Sequence, residues 1–306
     1  KYIKDLSFPI VIKADGLALG KGVVIAQDLA EAKETLENIM VKKIFGESGR
    51  EVVIEEFLTG PEFSIHAFSD GKNYKIFPPS QDHKRIGEND TGPNTAGMGV
   101  ISPLPFVNEK MIRKVENEIR TQTLKEMASE RSSFEGILYP GLMLTSFGPK
   151  IIEFNSRIGD PEAQTYMRLL ETDMLDIVDA CIDQRLDTLK IEWKNKAPEG
   201  KHLFACSIAL ASKGYPGSYE KGKLILGIKE AERQPDIVIF HSGTKLDDKG
   251  NLITNGGRVL WITAIDNTLE NALAKAYKAI GKISFEGMQY RKDIGKKALG
   301  RSSSTG

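Results

Sequence analysis

Residues 151–162 read IIEFNSRIGDPE and carry the most informative pattern in the chain. Their apolar start predicts a β-strand, and the two-residue period of a strand places Glu153, Asn155 and Arg157 on one face. A carboxylate beside a carboxamide oxygen suits a hard cation such as Mg²⁺, and a guanidinium suits a phosphate or a carboxylate. The pattern therefore indicates phosphoryl chemistry. The alternative is a surface strand with ordinary polar residues. The following GDPE weighs against it, because it predicts a tight turn before a helix.

Composition and charge exclude several classes of protein. The 306 residues include 42 basic and 42 acidic side chains, so the formal net charge is zero and favours neither nucleic acid nor an acidic membrane surface. No apolar run approaches the roughly 18 residues of a membrane span. Cys181 and Cys206 are too few for a disulfide framework, and we expect both to be buried thiols. We therefore expect a cytoplasmic monomer without a nucleic-acid or membrane partner.

Hydrophobic periodicity predicts a mixture of strands and helices. Strands are predicted at residues 9–13, 22–26, 51–57, 62–68, 74–77, 136–145, 149–155, 204–210, 237–242 and 258–264. Helices are predicted after Asp28, at residues 108–130 and 161–184, and after Thr268. Residues 80–99 are rich in Gly, Asn, Asp and Pro and are expected to form a long irregular, mobile loop. A domain boundary is expected near residues 189–200, where PEG follows a polar KNK.

A glycine-rich stretch, KADGLALGKG at residues 13–22, lies between the first two predicted strands. Its spacing does not fit a P-loop, and no Ser or Thr follows Lys21 to hold a metal ion. A glycine hairpin can still fold over a triphosphate, because its backbone N–H groups approach anions closely. Lys13 would add a positive charge at the end of its strand. A plain flexible hairpin is the alternative.

Two further segments suit a nucleotide and a small anionic substrate. The strand VIEEFL at residues 53–58 can offer backbone groups to an adenine edge, and Glu62 could accept both ribose hydroxyls. The segments SQDHKR at 80–85 and NTAGMG at 94–99 carry dense hydrogen-bond donors, which suit a substrate that must be shielded from water. A solvated acidic strand edge and a solvated charged loop are the alternatives. His83 alone is weak evidence for acid–base catalysis.

The order of these segments resembles that of the ATP-grasp superfamily, and their wording resembles the phosphoribosylamine–glycine ligase family from about residue 10 to residue 299. The segments that carry the resemblance are IVIKADGLALGKGV, VIEEFL, SQDHKR, TGPNTAGMG, IIEFNSRIGDPE, KGYPG, FHSGTK, TNGGRVL and RKDIG.

The resemblance implies an α+β ATP-grasp fold followed by a C-terminal α+β domain. A small lid subdomain would span residues 1–60 and a larger antiparallel-sheet catalytic subdomain residues 61–190. The C-terminal domain would span residues 191–299, before a disordered tail at 300–306. The implied activity is the ATP-dependent ligation of glycine to 5-phosphoribosylamine through a glycyl phosphate, in purine biosynthesis. Such chemistry needs positioning and charge neutralisation, without a protein nucleophile.

The resemblance also assigns roles to individual residues. Glu153 and Asn155 would hold Mg²⁺ or Mn²⁺, and Arg157 and Lys13 would act in catalysis. The residues expected to contact ATP are Lys13, Gly16, Gly20, Lys21, Gly22, Glu55, Phe57, Leu58 and Glu62. Those expected to contact glycine, ribosylamine or the acyl phosphate are Asp82, Lys84, Arg85, Asn94, Thr95, Gly97, Arg157 and Asp160.

Two departures from the family pattern leave alternatives open. Ala96 stands where the family usually has glycine, which matters only if that position needs a positive φ. The family's N-terminal Rossmann-like domain and a second ATP-contacting lysine have no counterpart before Lys1. We therefore expect a fragment or a processed chain that binds Mg·ATP weakly and turns over poorly. A catalytically silent ATP-binding fragment and another ATP-grasp carboxylate–amine ligase are the alternatives.

Overall fold

The computed structural model describes residues 2–18, 22–194 and 203–302, which fold as two compact units, Lys1–Gly60 and Pro61–Gly306. Strands and helices alternate in both, as the α+β prediction requires. Within the described ranges, no helix is both long enough and apolar enough to cross a bilayer. Cys181 and Cys206 are buried free thiols, as predicted.

The first unit is built on a three-stranded antiparallel sheet. Its strands are β1 (Ile10–Ala14), β2 (Val23–Ala26) and β3 (Val52–Glu56), in the order β2-β1-β3. Ile12 of the central strand is fully buried, because it packs in a core shared with the helix that follows β2. The predicted strands of this unit are confirmed.

Helix α1 (Leu29–Leu36) begins where the sequence predicts. The Asp28 carboxylate accepts a hydrogen bond from the Glu31 N–H at 2.9 Å, and the Glu31 carboxylate accepts one from the Gln27 N–H at 2.7 Å. The first bond satisfies a backbone donor that the first helical turn leaves without a partner, and the second ties the residue before the cap to the helix. The helix then continues as a single π-helical turn, Glu37–Val41.

The second unit contains a five-stranded antiparallel sheet that ends in the motif at residues 151–162. Its path is β12-β11-β5-β6, and β4 pairs with β11 beside β5. The strands are β4 (Glu62–Ser64), β5 (Ala67–Asp70), β6 (Tyr74–Ile76), β11 (Glu135–Thr145) and β12 (Gly148–Asn155). The single strand predicted at 62–68 is therefore wrong, since it divides into β4 and β5 on either side of Ile65 and His66.

A six-stranded sheet combines four strands of the C-terminal half with two strands that lie at the two ends of the segment at 80–99. The path is β14-β17-β13-β10-β7, with β18 also pairing with β13. The strands are β7 (Gln81–Asp82), β10 (Gly99–Ser102), β13 (Phe204–Ser212), β14 (Ile237–His241), β17 (Arg258–Asp266) and β18 (Met288–Gln289). Residues expected in two domains, 61–190 and 191–299, thus share one sheet and one compact unit.

Two short hairpins complete the strands. They are β8 (Arg85–Gly87) with β9 (Thr91–Asn94), and β15 (Thr244–Leu246) with β16 (Leu252–Thr254). The prediction of a wholly irregular loop at residues 80–99 is therefore wrong. The strands there are short and do not alternate apolar with polar residues. Their Gly, Asn and Pro residues therefore predicted a loop instead of strands.

The remaining helices cover the sheets of the second unit. They are α2 (Glu109–Glu118), α3 (Lys125–Ser129), α4 (Glu162–Leu169), α5 (Met174–Ile182), α6 (Ile228–Glu232), α7 (Leu269–Ile280) and α8 (Lys296–Ser302). Thr268 caps α7 through the Asn271 N–H, as predicted. Residues 300–302, which were expected to begin a disordered tail, close α8, and residues 303–306 lie outside the described ranges.

The single helix predicted at 161–184 is wrong. Helices α4 and α5 are separated because Leu170 is extended and Asp173 starts a new helix by accepting a hydrogen bond from the Leu175 N–H at 2.8 Å. The predicted helix at 108–130 is also divided, since a π-helical segment, Ile119–Leu124, joins α2 to α3.

His83 ties the segment between β7 and β8 to the C-terminal half. Its Nε2 accepts a hydrogen bond from the Gly295 N–H at 3.1 Å, so Nδ1 carries the proton and donates to the Gly99 carbonyl at 3.0 Å. The ring is buried, and burial followed by the charge of Arg291 lowers the pKa of His83 from 6.5 to about 4, against the opposing Gly99 bond. His83 is therefore a structural histidine.

We expect His83→Gln to reduce the loss of stability in acid. Because the pKa of His83 is depressed by folding, its neutral ring stabilises the fold above pH 6.5, and this contribution is lost as the pH falls through about 4. The loss amounts to roughly 2–3 kcal/mol of unfolding free energy. Urea unfolding at pH 7 and pH 4.5 should show a smaller difference for His83→Gln than for wild type. His241→Gln, at an exposed position, controls for loss of a histidine. Equal pH dependence in wild type and His83→Gln would contradict this account.

Candidate functional site

In the first unit, the structure joins two residues expected to bind nucleotide. Val11 of β1 lies opposite Glu55 of β3, so Lys13 and Glu55 share one face of the sheet two positions apart. Lys13 Nζ lies 2.6 Å from Glu55 Oε2, and the lysine side chain is only 16% exposed. The ion pair holds the ammonium group at the end of β1, which is where a phosphate-binding charge is expected.

The glycines of the hairpin after β1 are required by close approach of neighbouring chain. A Cβ added at Gly16 would lie 2.6 Å from Ser48 Cα, and one at Gly22 would lie 2.6 Å from Ala18 Cβ. The Gly16 N–H donates to the Ser48 carbonyl at 3.0 Å, so the start of the hairpin is fixed. Gly20 and Lys21, both expected to contact ATP, lie outside the described residues. Phe57 and Leu58 follow β3 without regular structure, and Phe57 is 39% exposed.

In the second unit, the expected metal ligands lie together at the end of β12. The Asn155 carboxamide Nδ2 lies 3.3 Å from Glu153 Oε1. Glu153 faces Gly141 of β11, where an added Cβ would come within 3.2 Å of the glutamate Cγ, so the glycine leaves room for the carboxylate.

This donor set fits a hard divalent cation only in part. A carboxylate and a carboxamide, which can turn to present its oxygen, are the ligand types that Mg²⁺ accepts. Among the described residues, no group of three or more His, Cys, Asp and Glu side chains could hold a metal. A cation bound by Glu153 and Asn155 would therefore need further oxygen ligands, and phosphate oxygens commonly supply them.

Lys84, expected on the substrate side, is paired beside this site with Glu62, which was expected to contact the ribose of ATP. Lys84 Nζ lies 2.7 Å from Glu62 Oε2. Burial lowers the pKa of Lys84, but the charge of the adjacent Glu62 and its hydrogen bond outweigh burial, so the pKa is raised and the group stays charged. A cavity of about 10 Å³, room for one water molecule, lies among Glu62, Asp82, Lys84 and Tyr139.

Two buried carboxyl groups lie beneath these residues. Burial raises the pKa of Glu162, although a 2.6 Å hydrogen bond from the Tyr139 hydroxyl to its Oε1 opposes the shift. Burial and then the charge of Glu162 raise the pKa of Asp82 well above its usual value, against Lys84 and Arg258. Asp82 Oδ1 is buried and has no hydrogen-bond partner in the described structure. Both effects favour a neutral Asp82.

An aromatic stack lies beside Arg157, the arginine expected to act in catalysis. The His66 ring stacks on Tyr139 with centroids 4.0 Å apart, and the Arg157 guanidinium lies 6.0 Å from the Tyr139 centroid on β11. His66 Nε2 accepts a hydrogen bond from the Gly159 N–H at 3.2 Å, and Nδ1 lies 3.0 Å from the Tyr166 hydroxyl. Burial and the charge of Arg157 lower the pKa of His66 to about 3, so the ring is neutral.

Sequence reasoning did not assign Tyr139 or His66 to the site, and for Glu162 it left capping of the helix after Pro161 as the alternative role. The contacts of Tyr139 with Glu162 and with His66 join residues 23 and 73 positions apart, and neither Tyr139 nor His66 stands in a motif. GDPE was interpreted as a turn before a helix, and the Ala163 N–H does donate to the Gly159 carbonyl at 2.9 Å. The carboxylate at its end was the only signal.

The segment after β9 packs against Asp82 and Lys84. Thr95 Oγ1 donates to the Lys84 carbonyl at 2.8 Å and accepts from the Gly97 N–H at 2.9 Å. Gly97 has φ +111°, and a Cβ there would lie 2.6 Å from both Asp82 Oδ1 and Pro161 Cδ. The structure thus brings four of the expected substrate residues together. Ala96 does not have a positive φ, so the methyl group is harmless.

Besides Arg157, three expected substrate residues, Arg85, Asn94 and Asp160, have other partners in the structure. Arg85 and Asn94 face each other across the β8–β9 hairpin, and Arg85 Nη1 donates to the Gly92 carbonyl at 2.8 Å. Both are exposed. Asp160 pairs with Arg258, its Oδ2 lying 2.7 Å from Nη2.

Comparison with known proteins identifies the family of this chain. Residues 1–163 match the family model described as phosphoribosylglycinamide synthetase, ATP-grasp (A) domain, and residues 205–297 match the C domain of the same synthetase. A phosphoribosylamine–glycine ligase from Caldanaerobacter subterraneus is 46% identical, with 96% of this chain and 68% of the relative covered. The bifunctional purine biosynthetic protein of Dictyostelium discoideum is 45% identical over 98% of this chain and 39% of the relative.

A solved structure agrees with these relatives. The phosphoribosylamine–glycine ligase of Thermotoga maritima superimposes with a TM-score of 0.79 at 38% identity, covering 95% of this chain and 70% of that one. The predicted ATP-grasp fold and the predicted class, an ATP-dependent ligase, are confirmed. The chain therefore belongs to the phosphoribosylamine–glycine ligase family of purine biosynthesis.

Proposed function

We propose that this chain joins glycine to 5-phosphoribosylamine in two steps. A glycine carboxylate oxygen attacks the γ-phosphorus of ATP, the bond from that phosphorus to the ADP oxygen breaks, and glycyl phosphate forms. The ribosylamine nitrogen then attacks the glycyl carbonyl and loses a proton, while the carbon–oxygen bond to phosphate breaks. The observation that carries the proposal is the Glu153–Asn155 pair in one unit with the Lys84–Glu62 pair, on a chain of this family.

The role of Glu153 and Asn155 is to hold a divalent cation, Mg²⁺ or Mn²⁺. When bound, the cation neutralises negative charge on the phosphates during transfer. The two residues would supply one carboxylate and one carboxamide oxygen to the cation, and phosphate oxygens could serve as its further ligands. This agrees with the lack of a three-carboxylate cluster among the described residues.

Positive side chains stabilise the transferring phosphoryl group. Arg157 supplies a guanidinium whose position beside Tyr139 is supported by the stack on His66. A planar fork of this kind binds the oxygens of a phosphate in pairs. In the first unit, Lys13 contacts nucleotide phosphates, and Glu55, Phe57 and Leu58 contact adenine.

The substrate side is formed by Asp82, Lys84, Thr95, Gly97 and Asp160. Lys84 stays charged and attracts a carboxylate or an acyl phosphate. Burial and the charge of Glu162 raise the pKa of the neighbouring Asp82 carboxyl group, which lessens its repulsion of that anion.

The reaction and its cation site are tested by ADP formation. Wild type should form ADP and phosphate only when Mg·ATP, glycine and ribosylamine are all present. Glu153→Gln removes one cation ligand and should weaken Mg²⁺-dependent ATP binding by about tenfold to a hundredfold. Titration of ATP at several Mg²⁺ concentrations measures this.

The matched control is Glu109→Gln, which changes an exposed glutamate of α2 that pairs with Arg113. It should leave both ADP formation and ATP affinity unchanged. ADP formation that continues without glycine, or a Glu153→Gln variant with wild-type dependence on Mg²⁺, would contradict the proposal.

The segment at 95–97 gives a second test with an internal control. Gly97→Ala forces a methyl group against Asp82 and Pro161 at a positive φ, so it should cost about 1–3 kcal/mol and weaken glycine binding. Ala96→Gly changes the neighbouring residue, where φ is not positive, and should leave glycine binding unchanged. Glycine titration in the presence of Mg·ATP distinguishes the two variants. Equal affinity for glycine in both would show that this segment is not part of the substrate side.

A further inference from the structure

Four sequence motifs that carry the family resemblance have no role in the chemistry described above. They are KGYPG at residues 213–217, FHSGTK at 240–245, TNGGRVL at 254–260 and RKDIG at 291–295. All four lie in the C-terminal half. Each motif contacts the segment from Asp82 to Gly97, either directly or through a residue of another of the four motifs. The motifs therefore share one structural target.

Arg258 of TNGGRVL contacts both sides of the substrate region. Its Nη1 donates to the Ala96 carbonyl at 2.7 Å and to the Asp160 carbonyl at 3.2 Å, and its Nη2 donates to Asp160 Oδ2 at 2.7 Å. The guanidinium lies 5.1 Å from the Trp261 ring centroid, in cation–π contact, and the side chain is 12% exposed. One planar group thus connects the loop at 96 with the turn at 160.

The neighbouring glycines allow this contact. A Cβ at Gly257 would lie 2.2 Å from the Tyr215 ring, so glycine lets Tyr215 of KGYPG approach. The Ala96 N–H then donates to the Tyr215 hydroxyl at 3.2 Å. Gly243 of FHSGTK packs on Gly256 and donates its N–H to the Arg258 carbonyl at 2.9 Å. The backbone of Ala96 is therefore held at its N–H and at its carbonyl oxygen by the C-terminal half.

The far end of the hairpin is held by RKDIG. Arg291 is 1% exposed and donates from Nη1 to the Arg85 carbonyl at 3.1 Å and to Asp90 Oδ1 at 2.8 Å. Asp293 Oδ2 accepts from the Asn89 N–H at 2.7 Å. These contacts fix the hairpin at Arg85, where it starts, and at Asn89 and Asp90, where it turns. The contacts of Arg258 then decide how Ala96 and Gly97 lie relative to Asp160.

We propose that Arg258 is a positioning residue for the ligase reaction, one that holds the loop at 95–97 and Asp160 in the arrangement that binds glycine without touching the substrate. This inference rests on the proposed function, which places these residues on the substrate side. A lysine cannot replace Arg258, because one ammonium on a flexible stem lacks the planar fork that reaches Ala96 and Asp160 together.

The test compares Arg258→Ala and Arg258→Lys with Lys275→Ala. Lys275 is a suitable control, since it lies in the same half and pairs with Asp236 and Asp266 at 2.6 and 2.7 Å. Both Arg258 variants should weaken glycine binding at least tenfold and leave Mg·ATP affinity within twofold of wild type. Lys275→Ala should change neither affinity.

Two further readouts separate positioning from general stability. Amide hydrogen exchange at residues 95–97 should become faster in Arg258→Ala and stay unchanged in β13. Millimolar guanidinium chloride should restore glycine binding to Arg258→Ala, whereas sodium chloride at the same concentration should not.

Each outcome decides a different claim. Wild-type exchange at 95–97 in Arg258→Ala, or faster exchange with unchanged glycine affinity, would overturn the positioning role. Equal weakening of glycine and ATP binding would overturn it as well. If wild type itself binds no glycine, the proposed function fails, and the exchange rates at 95–97 alone decide whether Arg258 orders this loop.

Discussion

The pairing of β10 with β13 is the constraint on which the second unit depends. Four residues of β10, Gly99–Ser102, pair with Ala205–Ile208, so the end of the substrate loop is a strand of the C-terminal sheet. At this junction a Cβ on Gly99 would lie 2.6 Å from Ile294 Cδ1, and only glycine allows the close approach. Because β13 also pairs with β17 and β18, the two arginines lie close to the loop that they contact. Arg258 is the first residue of β17, and Arg291 follows β18.

A second constraint is the cost of burying the carboxyl groups of the candidate site. Burying a carboxylate without partners costs several kcal/mol, and Asp82 has one oxygen without a partner among the described residues. Protonation removes that cost, which is why burial and Glu162 raise the pKa of Asp82. Lys84 meanwhile keeps its charge through Glu62. The fold therefore presents the charged Lys84 beside two buried carboxyl groups whose pKa values are raised.

The sequence predicted the strands and the local motifs well, because both depend on neighbouring residues. The period of two at Glu153 and Asn155 was sufficient to place them together at the end of β12. The cap at Asp28 follows from residues three positions apart. Roles for Lys13 or Asp160 came from family resemblance, which periodicity alone could not supply.

What the sequence did not predict depends on distant contacts or on weak local patterns. Arg258 and Ala96 are 162 positions apart, and no spacing rule relates them. The strands of the hairpin within residues 80–99 carry Ile86 as their one large apolar side chain, so the local sequence resembles a loop. The break between α4 and α5 is set by the extended Leu170, although apolar residues continue across it. In each case tertiary structure overrode the local signal.

The most direct test of the ligase mechanism follows the oxygen atoms of glycine. Glycine labelled with ¹⁸O in its carboxylate is incubated with this chain, Mg·ATP and ribosylamine, and the released phosphate is analysed by mass spectrometry. Formation of glycyl phosphate predicts that each phosphate carries one ¹⁸O atom from glycine, since the carbon–oxygen bond breaks when the amine attacks. Unlabelled phosphate released together with glycinamide ribonucleotide would contradict the account.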